Sequence, residues 1–289
     1  MSSRYRSPVD PEAANNPHAI ALRMIGSGQR VLEVGCSVGH VTEHLVDRGN
    51  DVVGIELDPE AADQARAFAS RVHVLDLDHT PATSVETGPF DVVLLGDVIE
   101  HLRNPVPPLI DLGSLLAPGG RLVISVPNVA HIDVRLMLLQ GRWQYQPIGL
   151  LDATHLRWFT KASLRSTLAE AGFVATKVER VVMGLGVSGL PISPEIAGPD
   201  VIRFIEADPE AYTWQFVVEA RRTANAASDI LADVLADDHD DGPAIAWPQL
   251  HAERESLEQQ LAAARADTDA LRREVALDWK ARLRRRLGR

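Results

Sequence analysis

A disulfide framework is out of reach for a chain of 289 residues with a single cysteine, Cys36. The Ser-, Pro- and Asn-rich opening from Met1 to Pro17 also lacks the apolar stretch that directs secretion. Together these absences lead us to expect a reducing compartment, most simply the cytoplasm. No apolar run approaches the roughly 20 residues that span a bilayer. Positive charge is not in excess either: the formal net charge is -11. Neutralising phosphates requires clustered Lys and Arg, so no nucleic-acid partner is expected. What remains, with 45% hydrophobic and 24% charged residues, is the balance of a globular domain with room for an appendage.

Between about Gln29 and Arg222, short β-branched runs alternate with helical patterns. That rhythm predicts an α/β fold, a Rossmann-like and mostly parallel sheet with helices on both faces. Strands are expected at 30–35, 51–57, 71–75, 90–96 and 121–126, each apolar throughout as strands buried on both faces are. Helices fit at 39–48, 59–70 and 105–116, the last closed by Ala117-Pro118-Gly119-Gly120. The rhythm breaks over 127–159. A helix then runs from near Thr160 to Gly172, and strand-like runs at 173–182 and 213–220 complete seven strands, the final pair forming a hairpin. Residues 1–28 are an N-terminal segment and helix, and the domain proper occupies 29–222.

The first strand leads into Glu33-Val34-Gly35-Cys36-Ser37-Val38-Gly39. Gly35 permits a tight turn and lets the backbone approach a bound nucleoside, and Gly39 opens a helix. By itself such a turn is also the ordinary connection from strand to helix. Three more strand ends carry polar residues, however. Glu56 ends the second strand about twenty residues beyond Gly35, where a carboxylate accepts from ribose hydroxyls in Rossmann-like sites. Asp76 ends the third, in position to accept from an adenine amino group, and Gly96-Asp97 ends the fourth. With Glu33, Cys36, Ser37, Leu57 and Leu77, the residues Gly35, Gly39, Glu56, Asp76, Gly96 and Asp97 make up the expected cofactor-binding set. In open α/β sheets ligands bind beyond the carboxyl ends of the strands, where all of these lie. Glu56 or Asp76 alone could equally be a surface charge.

These blocks resemble class I S-adenosylmethionine-dependent methyltransferases, in the branch of ubiquinone-biosynthesis O-methyltransferases and bacterial glycan-modifying relatives. Residues 33–39 stand where that family has an acidic-x-Gly-x-Gly-x-Gly loop, with Ser37 in place of the middle glycine. Asp97-Val98-Ile99-Glu100-His101-Leu102 and the run from Leu116 to Asn128 are two further family-like blocks. A nicotinamide-binding domain would want a third glycine, whereas Gly39 is followed by His40-Val41-Thr42, and it would leave the 97–102 block without a role. The resemblance implies S-adenosylmethionine as cofactor and methyl transfer as activity. It also implies a metal reading, because Asp97, Glu100 and His101 resemble an acidic-x-x-acidic-His group implicated in binding a divalent ion; three positions on one turn could equally be structural.

Transfer to a hydroxyl needs a base titrating near neutrality, for which His101, His131 and His155 are candidates. His101 lies closest to the cofactor by the strand-end argument, though it could instead orient the cofactor or cap its own turn. Residues 149–159, Gly-Leu-Leu-Asp-Ala-Thr-His-Leu-Arg-Trp-Phe, resemble a block of methyltransferases from polysaccharide and cell-envelope gene clusters. Within the expected active-site roof, 127–159, Asp152, His155, Arg157 and Trp158 would face the acceptor, and polar groups beside an aromatic suit a sugar hydroxyl. Alternatively, Asp152 and Arg157 form an ion pair and Trp158-Phe159 belong to the core. A quinone-like or phenolic acceptor is the second enzymatic reading, and a non-catalytic cofactor-binding scaffold for glycan assembly is the third.

Residues 223–248 shift to Ala and Asp, with Asp237, Asp238, Asp240 and Asp241 around His239, and read as a solvated linker. In 249–289, Leu250, Leu257, Leu261, Leu271 and Val275 recur at heptad-like spacing. A coiled coil or docking helix that joins copies of the chain fits this pattern. Its basic end, including Lys280, Arg282 and Arg284–Arg286, suits peripheral contact with an anionic membrane at its inner face, or simply complements the helix dipole.

Overall fold

The computed structural model describes residues 9–223. Beyond Thr223, the linker and the helical tail, with the expected oligomer and membrane contacts, lie outside the described residues. No helix among the described residues is long and apolar enough to cross a membrane.

Helix α1 (Pro17–Ile25) starts where the Asn16 side chain accepts from the Ala19 N–H at 3.1 Å and Pro17 presets the first turn. Then follow β1 (Arg30–Val34), α2 (His40–Asp47), β2 (Asp51–Glu56), α3 (Pro59–Ala65), β3 (Arg71–Val74), β4 (Phe90–Gly96), α4 (Val106–Ser114) and β5 (Leu116–Pro127). After these come α5 (Ile132–Leu139), α6 (Lys161–Glu170), β6 (Phe173–Val182), α7 (Pro194–Ala197), α8 (Pro199–Glu206) and β7 (Thr213–Arg222). The seven strands lie in the order β3-β2-β1-β4-β5-β7-β6. The first five are parallel, and β7 runs antiparallel between β5 and β6.

Alternation along the central strands divides the core in two. Leu32, Val93, Leu95, Leu122 and Ile124 pack on one face with Leu109 of α4 and Leu164 of α6. Val31, Val92, Leu94 and Val123 pack on the other with Leu22 of α1 and Leu45 of α2. Successive side chains of a strand point to opposite faces, so continuous apolar runs bury the sheet on both sides. The strand order reverses direction between β1 and β4, which opens a crevice at their carboxyl ends.

Several boundaries differ from expectation. Helix α3 stops at Ala65 rather than 70, because the chain turns so that the Ser70 N–H meets the Val52 carbonyl at 2.9 Å and β3 can begin. The Ala-Pro-Gly-Gly turn is drawn into β5, with an irregularity in the β4 register between Phe90 and Val92. The break after β5 contains α5, and the connection between the paired β6 and β7 carries α7 and α8. Between β4 and α4 the chain makes a single 3-10 turn, Ile99–His101.

Candidate active site

The loop after β1 is shaped by what stands against it. Gly35 has φ 72°, and a Cβ there would lie 2.7 Å from Val98 Cγ2 of the β4 exit. Gly39 has φ 89°, and a Cβ would meet Phe68 Cδ2 at 2.7 Å. Between them Ser37 adopts φ 49°, and its N–H donates to Glu56 Oε2 at 2.8 Å. Glu56 Oε1 accepts from the Leu57 and Asp58 N–H groups, both at 2.9 Å, so one carboxylate ties the β1 loop to the end of β2. Cys36 is buried beneath the loop, and burial pushes its thiol up, which keeps it neutral. Its sulfur sits 2.8 Å from where a Cβ on Gly54 would be. Gly54→Ala is therefore expected to cost about 1–3 kcal/mol by overpacking, read as a lower urea midpoint at unchanged m-value. An unshifted midpoint would show that the strand moves aside freely.

Asp97 mirrors Ser37 across the crevice. Among the described residues these two are the non-glycine positions with positive φ, Asp97 at 54°. Such conformations cost of order 1–3 kcal/mol and persist where the surroundings over-determine them. For Asp97 the surroundings are Ser125 and Gln215: its Oδ1 accepts from Ser125 Oγ at 3.1 Å and from Gln215 Nε2 at 2.7 Å. Glu33, in β1 two residues before Gly35, is buried and accepts from Thr42 Oγ1 at 2.6 Å. Burial raises its pKa to about 7, against the lowering effect of the Thr42 hydrogen bond.

Beyond Asp97 the 3-10 turn faces the roof. The Glu100 carbonyl accepts from the Leu156 and Arg157 N–H groups at 2.8 and 3.0 Å, pinning the roof segment to the β4 exit. His101 Nδ1 donates to the Thr154 carbonyl at 3.2 Å, and His155 Nδ1 to the Leu150 carbonyl at 3.3 Å. A carbonyl only accepts, so both imidazoles carry hydrogen on Nδ1. The two rings meet edge to face at 4.9 Å. From His155 the aromatic contacts continue to Trp158 at 5.5 Å, and from Trp158 to Trp143 at 5.2 Å and Tyr145 at 6.2 Å. Burial lowers the His155 pKa, as does the neighbouring His101.

A family model for the methyltransferase domain matches residues 5–178, more than half of the chain. The chain belongs to the methyltransferase domain family. Its curated relatives include the ubiquinone biosynthesis O-methyltransferase of Psychrobacter arcticus, 29% identical over 54% of this chain and 63% of that one. Another is its counterpart from Psychrobacter cryohalolentis, 35% identical over 51% of this chain and 60% of that one. The chain thus spans less than two thirds of either relative's own length. A solved S-adenosylmethionine-dependent methyltransferase from Archaeoglobus fulgidus has a TM-score of 0.52 at 21% identity, covering 71% of this chain and 92% of that one. That is a likeness of fold.

The fold brings Gly35, Ser37, Gly39, Glu56, Gly96 and Asp97 to one crevice, and other expected site residues go elsewhere. Asp76 is half exposed and receives His79 Nδ1 at 2.8 Å and the Asp78 N–H at 2.9 Å; the His79 hydrogen bond holds its carboxyl below the usual range. Leu57 is exposed beyond Glu56, while Leu77 leans on the main core. His131 caps α5: its Nδ1 accepts from the Asp133 N–H at 3.2 Å and its Nε2 donates to the Met183 carbonyl at 2.9 Å. With both nitrogens engaged in a fully buried position, it has no lone pair for an acceptor. Asp152 is buried and accepts from the Thr154 N–H and hydroxyl, and Arg157 donates to the Arg103 carbonyl. Phe159 joins the main core, whereas Trp158 stays partly buried among the roof aromatics. Asp97, the first member of the short metal motif, is turned away toward Ser125 and Gln215. Ser125, Gln215, Trp143 and Tyr145 carry no local signal that singles them out.

Proposed function

We propose that this methyltransferase moves a methyl group from S-adenosylmethionine to a hydroxyl on a flat, ring-shaped acceptor of the phenol or quinol class. The donor half rests on the crevice between β1 and β4: a loop whose two glycines pack too closely on Val98 and Phe68 to admit a Cβ, and Glu56 bonded to the Ser37 N–H between them. A carboxylate has about four lone-pair sites, so Glu56 can hold a ribose hydroxyl in addition to its backbone bonds. S-adenosylmethionine supplies, when bound, a sulfonium methyl open to in-line displacement. The protein's part is alignment and exclusion of water, for which the pinned roof is suited. The imidazole of His155, held through its Nδ1 at the Leu150 carbonyl, is the group that draws the hydroxyl proton.

The acceptor half is carried by one observation, the run of rings from His101 through His155 and Trp158 to Trp143 and Tyr145. A flat aromatic slides along such rings in offset or edge-to-face contact. The polar groups a sugar would want, Asp152 and Arg157, are bonded to Thr154 and Arg103. The names of the ubiquinone-pathway relatives point the same way. One feature favours a sugar hydroxyl as second reading: Trp143 and Tyr145, 38% and 55% exposed, offer faces on which a pyranose can stack.

Calorimetry with S-adenosylhomocysteine, followed by transfer of labelled methyl to catechol and to methyl glycosides, tests both halves. Binding with label in catechol is expected. Label in the glycoside alone moves the assignment to sugars. Binding with no label in either, or in envelope extract, favours a non-catalytic scaffold, and no binding at millimolar supply removes the proposal.

A further inference from the structure

We propose that His18 and His40 bind the amino-acid end of the methyl donor, and so set the preference of the crevice for S-adenosylmethionine over nucleosides that lack that end. This role rests on the donor crevice proposed above. Both rings stand at the carboxyl end of the sheet. Asn15, just before α1, pairs with the N–H and the carbonyl of Val182, each at 2.8 Å, at the end of β6. Antiparallel pairing of β7 with both β5 and β6 makes β6 run in the direction of β1. The far end of α1 lies at the opposite edge, where Arg121 donates to the Met24 and Ile25 carbonyls at 3.1 and 3.0 Å and pairs with Val92 early in β4. His18, the second residue of α1, is therefore level with the crevice. His40 opens α2 directly after Gly39, and the two rings meet edge to face at 5.4 Å.

Glu56 lies on the β2 side of the 35–39 loop, whereas α1 packs on β4, β5 and β7 beyond it. A nucleoside held at Glu56 that extends across the loop arrives at His18 and His40. Among the described residues neither ring has a hydrogen-bond partner, and the Nδ1 of His40 is buried as well. Buried polar groups are ordinarily bonded, so an unserved ring nitrogen beside a ligand crevice points to a group that the ligand brings. Burial, with His18 and His44 nearby, lowers the His40 pKa to about 4, so at pH 7 this ring is neutral and presents one N–H and one lone pair. The N–H of an imidazole donates to the carboxylate of an amino acid, and a lone pair accepts from its ammonium. A zwitterionic end thus satisfies the pair whichever nitrogens carry hydrogen.

Calorimetry on the full-length protein compares S-adenosylhomocysteine with 5′-methylthioadenosine, which keeps the adenosine and the sulfur but lacks the amino acid. The wild type is expected to bind S-adenosylhomocysteine at least ~10-fold more tightly, the scale of a hydrogen bond to a charged group. His18→Phe and His40→Phe should each cut that ratio at least ~5-fold while changing the affinity for methylthioadenosine by less than about threefold. His40→Gln, whose amide both donates and accepts, should restore part of the preference, which mere packing of α1 on α2 would not predict. A readout without substitution is chemical: S-adenosylhomocysteine should shield His18 of the wild-type chain from diethylpyrocarbonate, and methylthioadenosine at equal occupancy should not. A wild type indifferent to the amino-acid end, equal losses for the two ligands in the variants, or His18 labelling that both ligands affect alike overturns the role of the pair and leaves the donor crevice standing. Binding of neither ligand to the wild type removes the donor crevice itself, and the pair with it.

Discussion

Glu56→Ala is expected to lower the affinity for S-adenosylhomocysteine about 100-fold and to leave the protein folded. The Glu56 carboxylate receives three backbone N–H groups, from Ser37, Leu57 and Asp58. Hydrogen bonds to a charged partner contribute about 1.5–3 kcal/mol each. Glu56 is only partly buried, so water recovers much of this for Leu57 and Asp58. The bond to Ser37 is different, because it holds a residue at φ 49° that would otherwise relax. Losing that clamp together with the ribose contact amounts to about 3 kcal/mol, which at 1.4 kcal/mol per tenfold is ~100-fold. Asp76→Ala supplies the contrast. Half exposed and bonded to His79, Asp76 should change the affinity by less than about tenfold. Calorimetry on both variants decides the matter: equal losses, or binding by Glu56→Ala within about threefold of wild type, would mean that the crevice does not hold the nucleoside by this carboxylate.

The contrast between Glu56 and Asp76 also marks how far the amino-acid sequence can be read. Strands are legible because burial on both faces demands unbroken apolar runs; β6 spans the run expected of it, and β1 to β5 differ mainly at their ends. The turn at Gly35 is legible because its geometry is local. Asp76 looks equivalent to Glu56 by position, yet a histidine three residues on captures its carboxylate. Helix α5 is hidden for another reason: Ile132, Val134, Leu136 and Met137 are all buried, so its apolar residues mark no single face, and its cap is a histidine. Least legible are the long-range pairings. Gln215 lies 118 residues from the Asp97 it holds, and Thr154 lies 53 from the His101 it orients. Spacing along a chain carries no trace of such contacts, which arise only when β7 and the roof close over the β4 exit.

Glu33→Gln is expected to stabilise the ligand-free protein at pH 8 by up to about 3 kcal/mol and to change little at pH 5. Burial raises the Glu33 carboxyl from 4.5 to about 7. Below about pH 4.5 it is protonated whether the chain is folded or not, and its ionisation has no effect on stability. Between 4.5 and about 7 the unfolded chain releases the proton while the folded chain keeps it, so the folded state loses stability as pH rises. Above about 7 the loss is complete, and at 1.36 kcal/mol per pH unit it reaches about 3 kcal/mol. A glutamine retains an oxygen for Thr42, which donates at 2.6 Å, and carries no charge to desolvate. Urea midpoints measured from pH 5 to pH 8 should therefore converge for variant and wild type at the acid end and separate toward the alkaline end. Parallel curves across that range would mean that the carboxylate ionises in the fold at its ordinary pKa, with water reaching the floor of the crevice beneath Gly35.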